Sequence, residues 1–108
     1  MSLDRTLETT TTFVTRFFAD LGYIAPVLVV LVLLIAALGW WIGRLEHWPP
    51  GDGLYFGFVT GTTVGYGDLR PTRPLSRLLA ILVAIVGLML TGTVVAVALD
   101  AGTHAFPL

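Results

Sequence analysis

The sequence contains no cysteine, which excludes both a disulfide framework and thiolate chemistry. Charge is nearly as scarce: 12% of the 108 residues are charged, against about 25% in a soluble domain. The net charge of −1 gives no basis for a nucleic-acid partner. Internal repeats are missing. His47 and His104 are solitary and lack metal-ligand spacing, so ordinary loop histidines are expected. No constellation of nucleophile, acid and base stands out, and the chain is not read as an enzyme.

What is abundant is uninterrupted apolar length. Apolar residues make up 56% of the sequence, and the mean hydropathy is +0.87. No charge falls between Ile24 and Ile42, or between Leu78 and Leu99. As helices these runs would rise about 28 and 33 Å, close to the hydrocarbon thickness of a bilayer. Two membrane spans are therefore expected, surrounded by lipid. The first run exceeds a signal-peptide core and no small-residue cleavage site follows it, so it is read as uncleaved. Pro26 lies near its start, where a missing N–H matters little. Trp40, Trp41 and Trp48 mark one membrane face, since indole rings prefer the headgroup level. Before the first span, Phe13, Val14, Phe17, Phe18 and Leu21 form a helical stripe. A short helix lying in the membrane interface is expected there; the other reading is an extension of the first span.

Between the spans, "EHWPPGDG" is turn-rich, with Asp52 placed to cap a following helix. "LYFGFVTGTT" is apolar but too short to cross, and "VGYGD" follows at once. This pattern suits a re-entrant element, and non-helical backbone at membrane depth requires protein or water around it. Successive carbonyls of an ordinary strand point to opposite sides. Aiming them one way requires left-handed angles at alternate residues, which glycine adopts freely and other residues adopt at about 1–2 kcal/mol. Gly65 and Gly67 therefore permit a row of carbonyl oxygens able to replace the hydration shell of a cation.

"TTVGYGD", residues 62–68, resembles the selectivity filter of potassium channels letter for letter. The order of elements from residue 24 to about 100 resembles a two-span potassium-channel pore module. The resemblance implies an all-α membrane protein with two transmembrane helices, a re-entrant pore helix and a filter loop, assembled as a C4 homotetramer. It divides the chain into an N-terminal segment (1–20) and a pore domain (21–108). The pore domain would hold an outer helix (21–43), a turret (44–52), a pore helix (53–62), a filter (63–68) and an inner helix (75–101). Potassium ions would be held by Thr63, Val64, Gly65, Tyr66 and Gly67, with Tyr55, Thr60, Thr62 and Asp68 in support. Tyr55 and Phe56 replace a tryptophan pair common in bacterial relatives, and Val59 stands where some have glutamate. Phe56 cannot donate to Tyr66, whose hydroxyl is expected to rely on Thr60 or water.

For the inner cavity and gate, Leu88, Thr91, Val95 and Leu99 form one helical stripe. Gly87 lies twenty residues after Gly67, where many members carry a hinge glycine; hinge and packing roles are both open for it. Gly57 and Gly61, poor helix formers, and the pair Gly39 and Gly43 suit close helix packing. The resemblance puts both termini in the cytoplasm and the pore loop outside a cell membrane. Arg44, Arg70, Arg73 and Arg77 between the spans point the other way under the positive-inside rule; the family topology is preferred, because the loop is a folded element. No arginine-rich voltage-sensing helix, gating domain or gating partner is identified. A weakly selective cation channel and a non-conducting scaffold subunit are the alternatives.

Overall fold

Residues 2–105 are described by the computed structural model. Three helices carry the regular structure: α1 (Leu3–Leu45), α2 (Asp52–Gly61) and α3 (Pro74–Ala105). Among the described residues there is no strand. α1 and α3 are each long and apolar enough to cross a membrane. In their most apolar windows only 11% and 17% of residues are buried within the chain. A helix in a soluble core would be mostly buried, so these surfaces require lipid or further protein.

α1 has 43 residues, about twice what a crossing needs. The division expected at residue 20 is instead continuous helix, and no separate interfacial helix forms. The physical reason is the register of half-buried and buried residues. Phe13, Phe17 and Leu21 continue as Ile24, Leu28, Leu31 and Ile35 at helical spacing, and Gly22 does not interrupt the helix. Pro26 accordingly falls in the helix interior rather than near its start, so the Gly22 carbonyl loses its usual partner.

The chain forms two compact units. The smaller comprises residues 2–27 and 92–105 of the described chain. In it Val97, Ala101 and Ala105 are buried at a spacing of four, and Arg16 joins α1 to α3. Its Nε lies 3.4 Å from Asp20 and 3.3 Å from Asp100.

The larger unit, residues 28–91, has a core of Ile35, Ile42, Phe56, Leu79 and Val83, with Trp48 set edge-on to Phe56 at 5.3 Å. α1 ends here because His47 takes a left-handed φ of 57°. The Trp48 N–H then bonds back to the Gly43 carbonyl at 3.0 Å, and His47 N–H to the Arg44 carbonyl at 3.4 Å. This pair of bonds closes a helix C-terminus in the Schellman manner, usually with glycine at the left-handed position. α2 starts at Gly51, φ 93°, with no side-chain cap. Asp52 is therefore not the cap but the first helical residue, where its carboxylate complements the helix dipole. α3 opens on Pro74, a favoured first helical residue.

Candidate functional site

The segment after α2 alternates in handedness. Thr63, Gly65 and Gly67 have φ of 66°, 57° and 77°, while Val64 and Tyr66 between them stay on the ordinary side. This alternation turns successive peptide units so that neighbouring carbonyls can share one side. Gly65 and Gly67 adopt it without steric penalty. Thr63 has a Cβ and carries about 1–2 kcal/mol of strain, of the kind that persists at functional sites.

The loop hangs from the last turn of α2. Thr62 bonds the Phe58 carbonyl twice, from its N–H at 2.9 Å and its hydroxyl at 2.6 Å. Thr63 N–H reaches the Thr60 carbonyl and Gly65 N–H the Val59 carbonyl, each at 3.1 Å. At the far end the Tyr55 hydroxyl donates to Asp68 at 2.9 Å, and Arg70 Nε donates to the Gly67 carbonyl at 3.1 Å. The five residues 63–67 are thus gathered with Tyr55, Thr60, Thr62 and Asp68. Tyr66 is the exception: its side chain is 71% exposed, and its hydroxyl makes no hydrogen bond to Thr60.

α2 is held by backbone contact on both sides. A Cβ on Gly39 would stand 2.5 Å from the Gly53 carbonyl oxygen, and one on Gly53 would stand 2.4 Å from that of Gly39. Gly43 meets Gly53, and Gly57 meets Ile35 and Gly39, at similar range. On the other side, a Cβ on Gly87 would lie 2.0 Å from the Gly61 oxygen. Gly87 is therefore a close-contact position against the end of α2. Leu88 and Thr91 in the larger unit are exposed, as are Val95 and Leu99 in the smaller one. Val97, off this stripe, is buried.

Glu46, Thr72, Arg73 and Arg70, outside residues 62–68, carry more than sequence reasoning assigned them. Glu46, just past α1, accepts bonds from the Thr72 N–H and hydroxyl and from the Arg73 N–H, and Arg73 also contacts His47 Nε2 at 3.3 Å. Desolvation pushes the Glu46 carboxyl up. The donors from Thr72 and Arg73 and the Arg73 charge outweigh it and hold the pKa below its ordinary 4.5. This clasp ties the end of α1 to the stretch leading into α3. Arg70 is the fourth residue. Nothing in the spacing of "LRPTRPLSR" marks such partners, because they lie across a loop.

A family model described as "Ion channel" matches residues 27–104, spanning the end of α1, the loop and α3. The chain belongs to this ion channel family. The channel chain is also similar to named potassium channels, in accord with the resemblance carried by residues 62–68. It is 38% identical over 66 residues to "Two-pore potassium channel 3" of Arabidopsis thaliana, covering 56% of this chain and 15% of that protein. It is 51% identical over 49 residues to "Two-pore potassium channel 1" of the same plant, covering 45% and 14%. With "Voltage-gated potassium channel" of Aeropyrum pernix it shares 43% identity over 47 residues, covering 40% and 16%. The chain thus spans about a seventh of the length of these relatives. No solved structure matches it. The family matched is one of channels and not of enzymes.

Proposed function

We propose that the chain is the pore subunit of a potassium-selective channel, passing K⁺ passively through a homotetramer with C4 symmetry. The observation that carries this reading is the alternation of positive φ at Thr63, Gly65 and Gly67 inside a TVGYG sequence. Four such strands around one axis would stack rings of carbonyls from Thr63, Val64, Gly65 and Tyr66, with the Thr63 hydroxyl at the inner end and Gly67 at the outer bend. One strand alone cannot surround an ion, and an unsolvated ion in a low-dielectric medium is unfavourable by tens of kcal/mol. Tyr66, exposed in the single chain, would pack against a neighbouring subunit. The C-terminus of α2 would aim its partial negative charge at a central cavity.

In this reading α2 re-enters the membrane from outside, and both termini are cytoplasmic in a cell membrane. The exposed stripe of Leu88, Thr91, Val95 and Leu99 lines the inner vestibule, with Leu99 nearest a hydrophobic constriction. Gly87 sits at the level of the filter's base. The test is ion flux into vesicles containing this chain alone, alongside cross-linking in mild detergent. Potassium uptake well above sodium uptake, from a cross-linked tetramer, is the expected result. A monomer or dimer with no larger species, or equal sodium and potassium uptake, would refute it.

A further inference from the structure

We infer that the notch between the end of α1 and the start of α2 binds the phosphate of an anionic phospholipid, with Arg44 as its cation. The notch is a cavity of 160 Å³ within the larger unit, lined among others by Trp40, Gly43, Arg44, Trp48, Gly51 and Leu54. Nothing lies within 4 Å of the place where a Cβ on Gly51 would stand, so its wall there is open. A water in the liquid takes about 30 Å³, and the space therefore suits a group of about five heavy atoms. A phosphate fits this size and an acyl chain does not. The chains have their own surface outside the notch. Trp40 and Trp41 are 58% and 45% exposed, and indole rings lie at the level where lipid headgroups begin.

The Arg44 guanidinium carbon sits 5.6 Å from the centroid of the Trp40 ring, within the range of a cation–π contact. The ring holds the cation beside the cavity without neutralising it. Among the described residues Arg44 enters no ion pair. Two carboxylates lie near it in sequence. Glu46 is engaged by Thr72 and Arg73. Asp52 does not line the cavity and forms no ion pair with Arg44; its charge opposes an anion there and so limits the affinity. A zwitterionic lipid brings its own ammonium group to this mouth, whereas a net-negative lipid keeps the whole attraction of Arg44. Every lining group belongs to one chain, so the site needs no second copy and does not depend on the pore reading.

The test is quenching of tryptophan fluorescence in vesicles carrying the full chain, since Trp40 and Trp48 line the cavity. Brominated phosphatidylglycerol is compared with brominated phosphatidylcholine, each in a background of ordinary phosphatidylcholine. Wild type is expected to favour the anionic lipid about fivefold, the contribution of one basic residue at an anionic surface. Arg44→Gln should lose this preference, Arg44→Lys should keep it and Asp52→Asn should raise it. Arg77→Gln removes an exposed cation at the start of α3 and should leave it unchanged. No preference in wild type, or one that persists in Arg44→Gln, overturns the inference. So does an equal loss in Arg77→Gln, which would mark a general attraction to charged membrane. If millimolar inorganic phosphate abolishes the preference, the cavity holds a free anion and the lipid assignment fails. The wild-type comparison needs no variant, and no ion flux is measured, so a chain that carries no potassium leaves this result standing.

Discussion

Replacing Gly87 by alanine probes the crossing of α3 over α2 with the smallest available perturbation, one methyl group. That methyl would lie 2.0 Å from the Gly61 oxygen, 2.5 Å from its Cα and 2.6 Å from its carbonyl carbon. Ordinary contacts between carbons fall at about 3.5–4.0 Å. All three obstructing atoms are backbone, so no rotamer change can relieve the clash and α2 or α3 must move. Overpacking in a close-packed site is unfavourable by about 1–3 kcal/mol, and the absence of a yielding side chain places this substitution at the upper end. Gly61 lies immediately before Thr62 and Thr63, whose bonds to Phe58 and Thr60 anchor residues 63–67, the proposed filter. The displacement should therefore reach the filter and reduce potassium selectivity as well as stability. Gly92→Ala is the control on the same helix, since nothing lies within 4 Å of its Cβ position. There the better helix propensity of alanine should stabilise by about 0.5–1 kcal/mol. Thermal unfolding in detergent and reversal potentials in mixed sodium and potassium would measure both variants. Wild-type stability and selectivity in Gly87→Ala would show that α3 does not cross α2 at Gly61.

Three other expectations can be checked on the same preparations. Gly65→Ala should abolish potassium current, because a φ of 57° imposes about 1–2 kcal/mol per chain on alanine, repeated in each copy around a shared axis; persistent potassium-selective current would mean that these residues do not form the filter. Tyr55→Phe removes the donor to Asp68 and should shorten the duration of conduction without altering ion preference, whereas Tyr66→Phe removes a hydroxyl with no bond to Thr60 and should do less; the reverse order in sustained recordings would contradict this. Glu46 has a lowered folded pKa, so its clasp contributes stability in full above the ordinary carboxyl range and loses it as pH falls through the lowered value. Wild type should therefore converge on Glu46→Gln in melting temperature on acidification below the ordinary carboxyl value of 4.5, and parallel profiles would exclude the clasp.

Much of this arrangement was legible in the sequence because membranes impose few solutions. Two charge-free runs required two long helices, and the paired glycines of VGYG required special backbone angles. The angle at Thr63 was less accessible, since threonine gives no sign of a left-handed conformation; only its alternation with Gly65 and Gly67 exposes it. The cap of α2 was misassigned to Asp52 because Gly51, with no side-chain acceptor, fills that position by φ alone. The boundary expected at residue 20 fails for a different reason. The stripe of Phe13, Val14, Phe17, Phe18 and Leu21 reads as a short helix of its own, but α1 is continuous through it, and Arg16 there pairs with Asp20 and Asp100. The Glu46 clasp and the Arg70 contact depend on loop closure, which leaves no periodic trace in the sequence.

The glycine-to-glycine contact between α1 and α2 has a consequence for how this protein can change over generations. In most cores a residue that grows can be accommodated by a neighbour that shrinks, and compensating pairs drift together. At Gly39, Gly43, Gly53 and Gly57 the neighbours are already backbone, and no residue is smaller than the one on either side. A lineage that gains a methyl group at one of these positions has no second-site remedy among the other three. This crossing can be inherited or lost, but it has no neighbouring solutions through which to wander.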